Sequence, residues 1–254
     1  MAIVLKGACR VMELRDGTPQ REGPLAVWRH VGRETGAAAV SLRVLECETG
    51  TSPALRNPKC EEALFVLEGD GTLFLDGWPS PVSPGSGAFV PPDTRLTIVN
   101  PGQRPLVMMS VQCPEPGPTL RMEGAVTHPR PGSAPPPRPP VRRLSEQPSR
   151  SAGDRWFRVL IDERAGSREM TQFVGGIPPG RAPDHYHENE EVFCVLSGRG
   201  RVWAEGASAP LEAGVMVFLP RRQPHCTENI GPEELRLVGV FHPSGSPAVA
   251  YPAR

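Results

Sequence analysis

The chain has 254 residues, with 28 basic and 28 acidic side chains and a formal net charge of zero, so no global field draws it to nucleic acid or an anionic membrane. Apolar residues make up 38%, a little below the globular norm, because 32 Pro and 27 Gly favour turns and short strands over long helices. No stretch approaches the roughly 18–20 apolar residues of a membrane span.

The N-terminus, MAIVLKGACRVME, has too short an apolar run for a signal peptide, so a cytoplasmic chain with reduced thiols is expected. Cys9, Cys47, Cys60, Cys113, Cys194 and Cys226 form no CxxC pair and read as small buried apolar residues. Next come apolar runs of strand length: AAAVSLRVLE, EALFVLEG, GTLFLDG, GAFVPP and RLTIVN. The stretch HPRPGSAPPPRPP, residues 128–140, holds seven prolines and cannot join a central ladder. A second series follows: RWFRVLID, EMTQFVGG, EVFCVLSG, RVWAEG, VMVFLP and LRLVGVF. No window sustains a 3.6-residue period, so the pattern indicates an all-β sandwich or barrel. The expected division is an N-terminal barrel at 1–115, a proline-rich linker at 116–150 and a C-terminal barrel at 151–254.

The two series are copies of one unit. Residues 63–100 and 192–229 align without a gap at an offset of 129, which matches Glu62 with Glu191, Gly69 with Gly198, Gly71 with Gly200, Gly85 with Gly214, Pro91 with Pro220 and Asn100 with Asn229.

Chemistry concentrates in the second copy. His185 and His187 are spaced i, i+2, so on a strand both imidazoles share a face. Glu191 opens the next apolar strand, with Glu190 as its competitor, and His225 follows the Pro220 turn. Three imidazoles and a carboxylate suit one borderline divalent transition metal per chain: Mn, Fe, Co, Ni, Cu or Zn. His30, His128 and His242 have no such partners.

These residues resemble the two signature motifs of the cupin superfamily. His185, His187, Glu191 and Gly198 follow its first motif, with Gly180 one residue closer than the pattern. Gly214, Pro220, His225 and Asn229 follow its second, where Arg222 replaces a Gly. The resemblance implies two tandem double-stranded β-helix (jelly-roll) barrels, a bicupin. It implies metal ligation by His185, His187, Glu191 and His225, with Asn229 in a structural or ligand-supporting role. At the offset of 129, His185 falls on Arg56, His187 on Pro58, Glu191 on Glu62 and His225 on Leu96, so the first barrel is expected to hold no metal there. Arg56 and Glu62 are expected to pair in its place or to bind a small anion. This layout is also similar to that of the (S)-ureidoglycine aminohydrolase family of manganese bicupins, from which it departs by keeping an HxH pair in its C-terminal barrel.

The resemblance implies a metal-dependent enzyme acting on a small polar molecule, with dioxygenase or oxidoreductase chemistry foremost. A non-redox hydrolase or isomerase and a non-catalytic ligand binder are the alternatives. Strand alternation from Glu191 puts Phe193 and Val195 on the metal-facing side, and Thr227 follows His225 on its side; Trp203, Met216 and Phe218 are further candidate walls, with ordinary core packing as the alternative for each. The tail HPSGSPAVAYPAR is expected to pack as an extended arm over a barrel, and a second copy in a homodimer is the expected protein partner.

Overall fold

The computed structural model describes residues 2–115, 117 and 121–248. Among them are many strands and three short 3-10 turns. No helix is long and apolar enough to cross a membrane.

Alternation along the strands sorts side chains into three cores. On Glu61–Glu68, Leu64 and Val66 fill the first barrel while Ala63 and Phe65 face the other half of the chain. On Glu190–Ser197, Phe193 and Val195 fill the second barrel while Val192 and Cys194 face the first. Each barrel is therefore two sheets around its own apolar interior. The inner sheets, of seven and eight strands, pack face to face through the third core, which includes Leu42, Val44, Met109, Met216, Phe218 and Val240.

The inner sheets exchange strands. Arg10–Glu13 pairs with Val215–Leu219 of the second barrel, Arg10 opposite Phe218. Val141–Arg143 pairs with Ser86–Val90 of the first, Val141 opposite Ala88. The expected boundaries thus cut across the fold: Leu5, Cys9 and Val11 belong to the second barrel's core. Residues 116–150 are more than a linker, since Arg121–Glu123 also adds to Ala54–Arg56. The proline stretch 128–140 itself contains no strand. It lies against Gly77 at φ 89°, where a Cβ would sit 2.1 Å from the His128 carbonyl, so only glycine admits it.

Two carboxylates brace the interface. Glu190 accepts the backbone N–H groups of Ala38, Ala39 and Val40 at 2.6, 2.7 and 3.0 Å. Glu61 accepts those of Arg168 and Glu169 at 3.0 and 3.1 Å and the Ser167 hydroxyl at 2.8 Å. All six cysteines are buried and free, and burial pushes the Cys9 and Cys194 thiols up to about 12.

Candidate metal centre

The mouth of the second barrel gathers three imidazoles. His185 and His225 face each other across an isolated antiparallel bridge, exchanging backbone hydrogen bonds of 2.9 and 2.8 Å. The backbone carbonyl of His187 accepts the Arg222 N–H at 2.8 Å. The ring centroids lie 4.5 to 5.0 Å apart, and one nitrogen from each ring falls within 4.8 Å of the others. Among the described residues this is the one cluster of three or more His, Cys, Asp or Glu donors at metal-binding distances. Glu191 adjoins it, with Oε2 3.1 Å from His187 Nδ1. Glu190, one residue earlier, faces the opposite side of its strand and is engaged by the other barrel, which leaves Glu191 as the carboxylate of the site.

Hydrogen bonding fixes two tautomers. His185 Nδ1 lies 3.0 Å from the Pro183 carbonyl and His225 Nδ1 lies 2.8 Å from that of Gln223. A carbonyl only accepts, so both Nδ1 atoms carry the proton and both Nε2 atoms keep a lone pair. His187 Nε2 is buried with no hydrogen-bond partner. Lone pairs converging beside an unsatisfied buried nitrogen are what a borderline divalent metal requires, so the donor set fits one.

The electrostatics agree. Burial, helped by the neighbouring imidazoles, lowers His225 to about 4, and burial also lowers His185. Burial lowers His187, but the hydrogen bond and negative charge of Glu191, with a hydrogen bond to Asn189, together outweigh it and leave His187 raised. Glu191 is lowered: burial raises it, but the His187 hydrogen bond and the three imidazoles prevail. The site is poised with neutral His185 and His225 and an ionised carboxylate.

The cavity above the cluster measures about 120 Å³. Phe193 and Thr227 line it as expected. The other candidate walls do not. Val195 points to the closed apolar end of the barrel, and Met216 and Phe218 are buried in the core between barrels. The register explains this: Leu219 stands opposite Glu191 and Val217 opposite Phe193, so the odd positions face inward. Trp203 lies outside the pocket, donating to Glu228 at 2.8 Å beneath the Arg181 guanidinium. The walls missed in the sequence are Arg155, Phe157, Phe173, Leu219 and Phe241, on strands that carry none of the four candidate ligands. Ser246 and Pro247 complete the rim, where Thr171 Oγ1 bonds both polar groups of the Gly245 backbone at 3.0 Å. This part of the tail does lie over the barrel; residues 249–254 lie outside the described residues.

Asn229 contacts no ligand side chain. It donates to the Ile177 and Glu233 carbonyls and accepts from Gly231, pinning a turn. Asn100 makes the equivalent bonds to Cys47, Arg104 and Gly102. Its role is structural.

The first barrel differs from expectation in register. Leu96 pairs with Leu55 as His225 bridges His185, and Asp93 N–H bonds the Asn57 carbonyl as Arg222 bonds that of His187. His185 therefore corresponds to Leu55 and His187 to Asn57, not to Arg56 and Pro58. The first copy carries one extra residue between Asn57 and Glu62, which an ungapped alignment hides. Arg56 turns outward to Asp93 and Glu123, so the expected Arg56–Glu62 pair does not form. Glu62 instead pairs with Arg43 at 2.8 Å and also accepts from Ser110 and Gln112. By strand register Arg43 stands where the second barrel has Phe173, and its guanidinium meets the retained carboxylate inside the barrel.

The comparisons with known proteins agree with this architecture. The cupin domain family model matches residues 43–112 and 173–241, more than half of the chain. Dimethylsulfoniopropionate lyase DddW of Ruegeria pomeroyi is 30% identical over 98 residues, 38% of this chain and 64% of that protein, so the match spans just under two thirds of its length. Protein Ylba from E. coli superposes with a TM-score of 0.73 at 15% identity, covering 95% of this chain and 93% of that one. A deletion mutant of Bacillus subtilis oxalate decarboxylase OxdC superposes with a TM-score of 0.71 at 16% identity, covering 93% and 78%. With a family domain matched in each half and two such barrels in the structure, the chain belongs to the cupin family and is a bicupin.

Proposed function

We propose that the protein is a metal-dependent enzyme acting on a small carboxylate, with dioxygenase-type oxidoreductase chemistry at His185, His187, Glu191 and His225. The observation that carries this reading is the convergence of three imidazoles and a buried carboxylate at the floor of an open, apolar-walled cavity. A transition metal held there would supply Lewis acidity and, for a redox-active ion, an open position for dioxygen.

The chain's own residues define the rest. Arg155 lines the cavity close enough to His185 to lower its pKa. A guanidinium beside the cluster is suited to hold a substrate carboxylate bidentately. Phe157, Phe173, Phe193 and Phe241 would enclose the carbon skeleton and keep water out. A cavity of about 120 Å³ suits a small molecule. Among the described residues that line the pocket, none outside the cluster is a carboxylate, imidazole, thiol or phenol. The names of two similar proteins carry small carboxylates, dimethylsulfoniopropionate and oxalate, in keeping with the same substrate class.

The test is elemental analysis of protein purified without added metal, followed by oxygen-uptake screening against small carboxylic acids. About one equivalent of transition metal with substrate-dependent oxygen uptake is expected. Turnover without oxygen uptake would move the protein to the hydrolase or isomerase class. A carboxylate that binds and is recovered unchanged would make it a binder. Absence of metal after reconstitution would refute the centre itself.

A further inference from the structure

Trp156 borders a second cavity besides the metal pocket. This groove, about 560 Å³, lies at the seam where the exchanged strand of the first barrel meets the second. Three guanidinium groups line it: Arg143 from Val141–Arg143, Arg158 from Arg155–Ile161, and Arg236 from Leu235–His242. Among the described residues the only carboxylate in the lining, Glu234, is engaged by the Trp156 indole N–H at 2.5 Å.

None of the three guanidiniums has an acidic partner among the described residues. Arg143 Nη1 donates to the Ser83 hydroxyl at 3.0 Å and Arg158 Nη1 to the Leu144 carbonyl at 3.1 Å, both neutral acceptors. Arg158 and Arg236 lie over the Trp156 ring at 5.7 and 5.5 Å from its centroid. Their Nε atoms are buried with no hydrogen-bond partner. Like charges gathered round one ring repel, and buried N–H donors without acceptors carry a desolvation cost. Both are relieved by one ligand type, an anion with several acceptor oxygens. The indole is held there by packing on a pocket strand, since a Cβ at Gly176 would fall 2.3 Å from Trp156 Nε1.

We propose that this seam groove is a binding site for a small oxyanion, a phosphate or carboxylate group held by Arg143, Arg158 and Arg236. The site stands apart from the metal cluster, and its existence does not depend on the metal reading. Because Trp156 borders both cavities, its fluorescence should report occupancy.

The experiment is calorimetric titration of the full chain, at low ionic strength, with inorganic phosphate and separately with citrate. Wild type, Arg236→Gln, Arg143→Gln and the remote surface variant Arg21→Gln are compared, with urea unfolding to confirm that each is folded. The proposal expects saturable binding at millimolar concentrations or below, with Kd raised roughly ten-fold or more in the Arg236 and Arg143 variants and unchanged in Arg21→Gln. Tighter phosphate binding identifies a phosphate ligand, and tighter citrate binding a carboxylate one. A fluorescence change on binding that disappears in Trp156→Phe and needs higher anion concentrations in Arg236→Gln and Arg143→Gln, but not in Arg155→Gln, places the anion at the groove and not in the metal pocket. Failure of both anions to saturate, or equal losses in all three arginine variants, overturns the proposal. Arg143 is exposed, so its substitution keeps the test open if Arg236→Gln fails to fold.

Discussion

Glu61 and Glu190 occupy matching positions in the two barrels and reach across the same interface in opposite directions, each binding backbone N–H groups in a loop of the other barrel. Glu190 therefore belongs to the junction, and its sequence neighbour Glu191 belongs to the cavity.

Because each brace is a buried carboxylate accepting three or more hydrogen bonds, Glu61→Gln should destabilise the fold by about 1–3 kcal/mol. Urea unfolding measures this. Metal content per folded chain should stay at the wild-type level, since Glu61 lies in the half without the imidazole cluster.

His187→Ala should abolish metal retention, read as metal per chain after gel filtration. Glu62→Ala should leave retention intact but cost about 3–5 kcal/mol, because it strands the Arg43 guanidinium, 3% exposed, without its partner. The double change Arg43→Met with Glu62→Leu should recover most of that loss, since an apolar pair of similar volume avoids burying charge. A metal equivalent lost with Glu62 would mean that the first barrel also binds an ion.

Arg155→Gln should raise KM for a carboxylate substrate by roughly ten-fold or more, with metal content unchanged. If kcat falls while KM holds, Arg155 acts on the reaction and not on binding.

His30 offers a pH test away from the metal cluster. Burial, the largest influence, holds it below the ordinary imidazole value of 6.5, although its bond to the Leu14 carbonyl at 3.0 Å and the nearby Asp16 both favour the charged form. Below pH 6.5 the unfolded chain takes up a proton that the folded chain refuses. This contribution is therefore complete above pH 6.5 and lost as pH falls towards the folded value. His30→Gln should show a smaller drop in urea midpoint than wild type between about pH 7.5 and 5.5.

Much of this was legible in the sequence, for physical reasons. The HxH spacing, the Gly and Pro turn positions and the period-2 strands are local signals, and they gave the barrels, the triad and the repeat. What escaped depends on pairing between distant strands. For Met216 and Phe218 the sequence leaves pocket and core both open, because alternation says which residues share a face but not which face is inside; the Leu219–Glu191 register decides for the core. Leu55 and Asn57 were missed as counterparts of the ligands because the extra residue before Glu62 is invisible until backbone bonds are compared. Arg43 was missed because the second copy has Phe173 there, so no motif points to it. Arg155 has no sequence marker at all.

The strand Arg10–Glu13 is synthesised well before the edge it completes, Val215–Leu219. Residues 10–13 must therefore wait for both barrel repeats to be made before they can dock. Neither half is self-sufficient: a fragment beginning at residue 151 would lack Leu5, Cys9 and Val11 and leave an apolar gap beneath the strand that leads to His225. Whatever ion the imidazoles hold, the barrel that presents them is completed by residues of the other half.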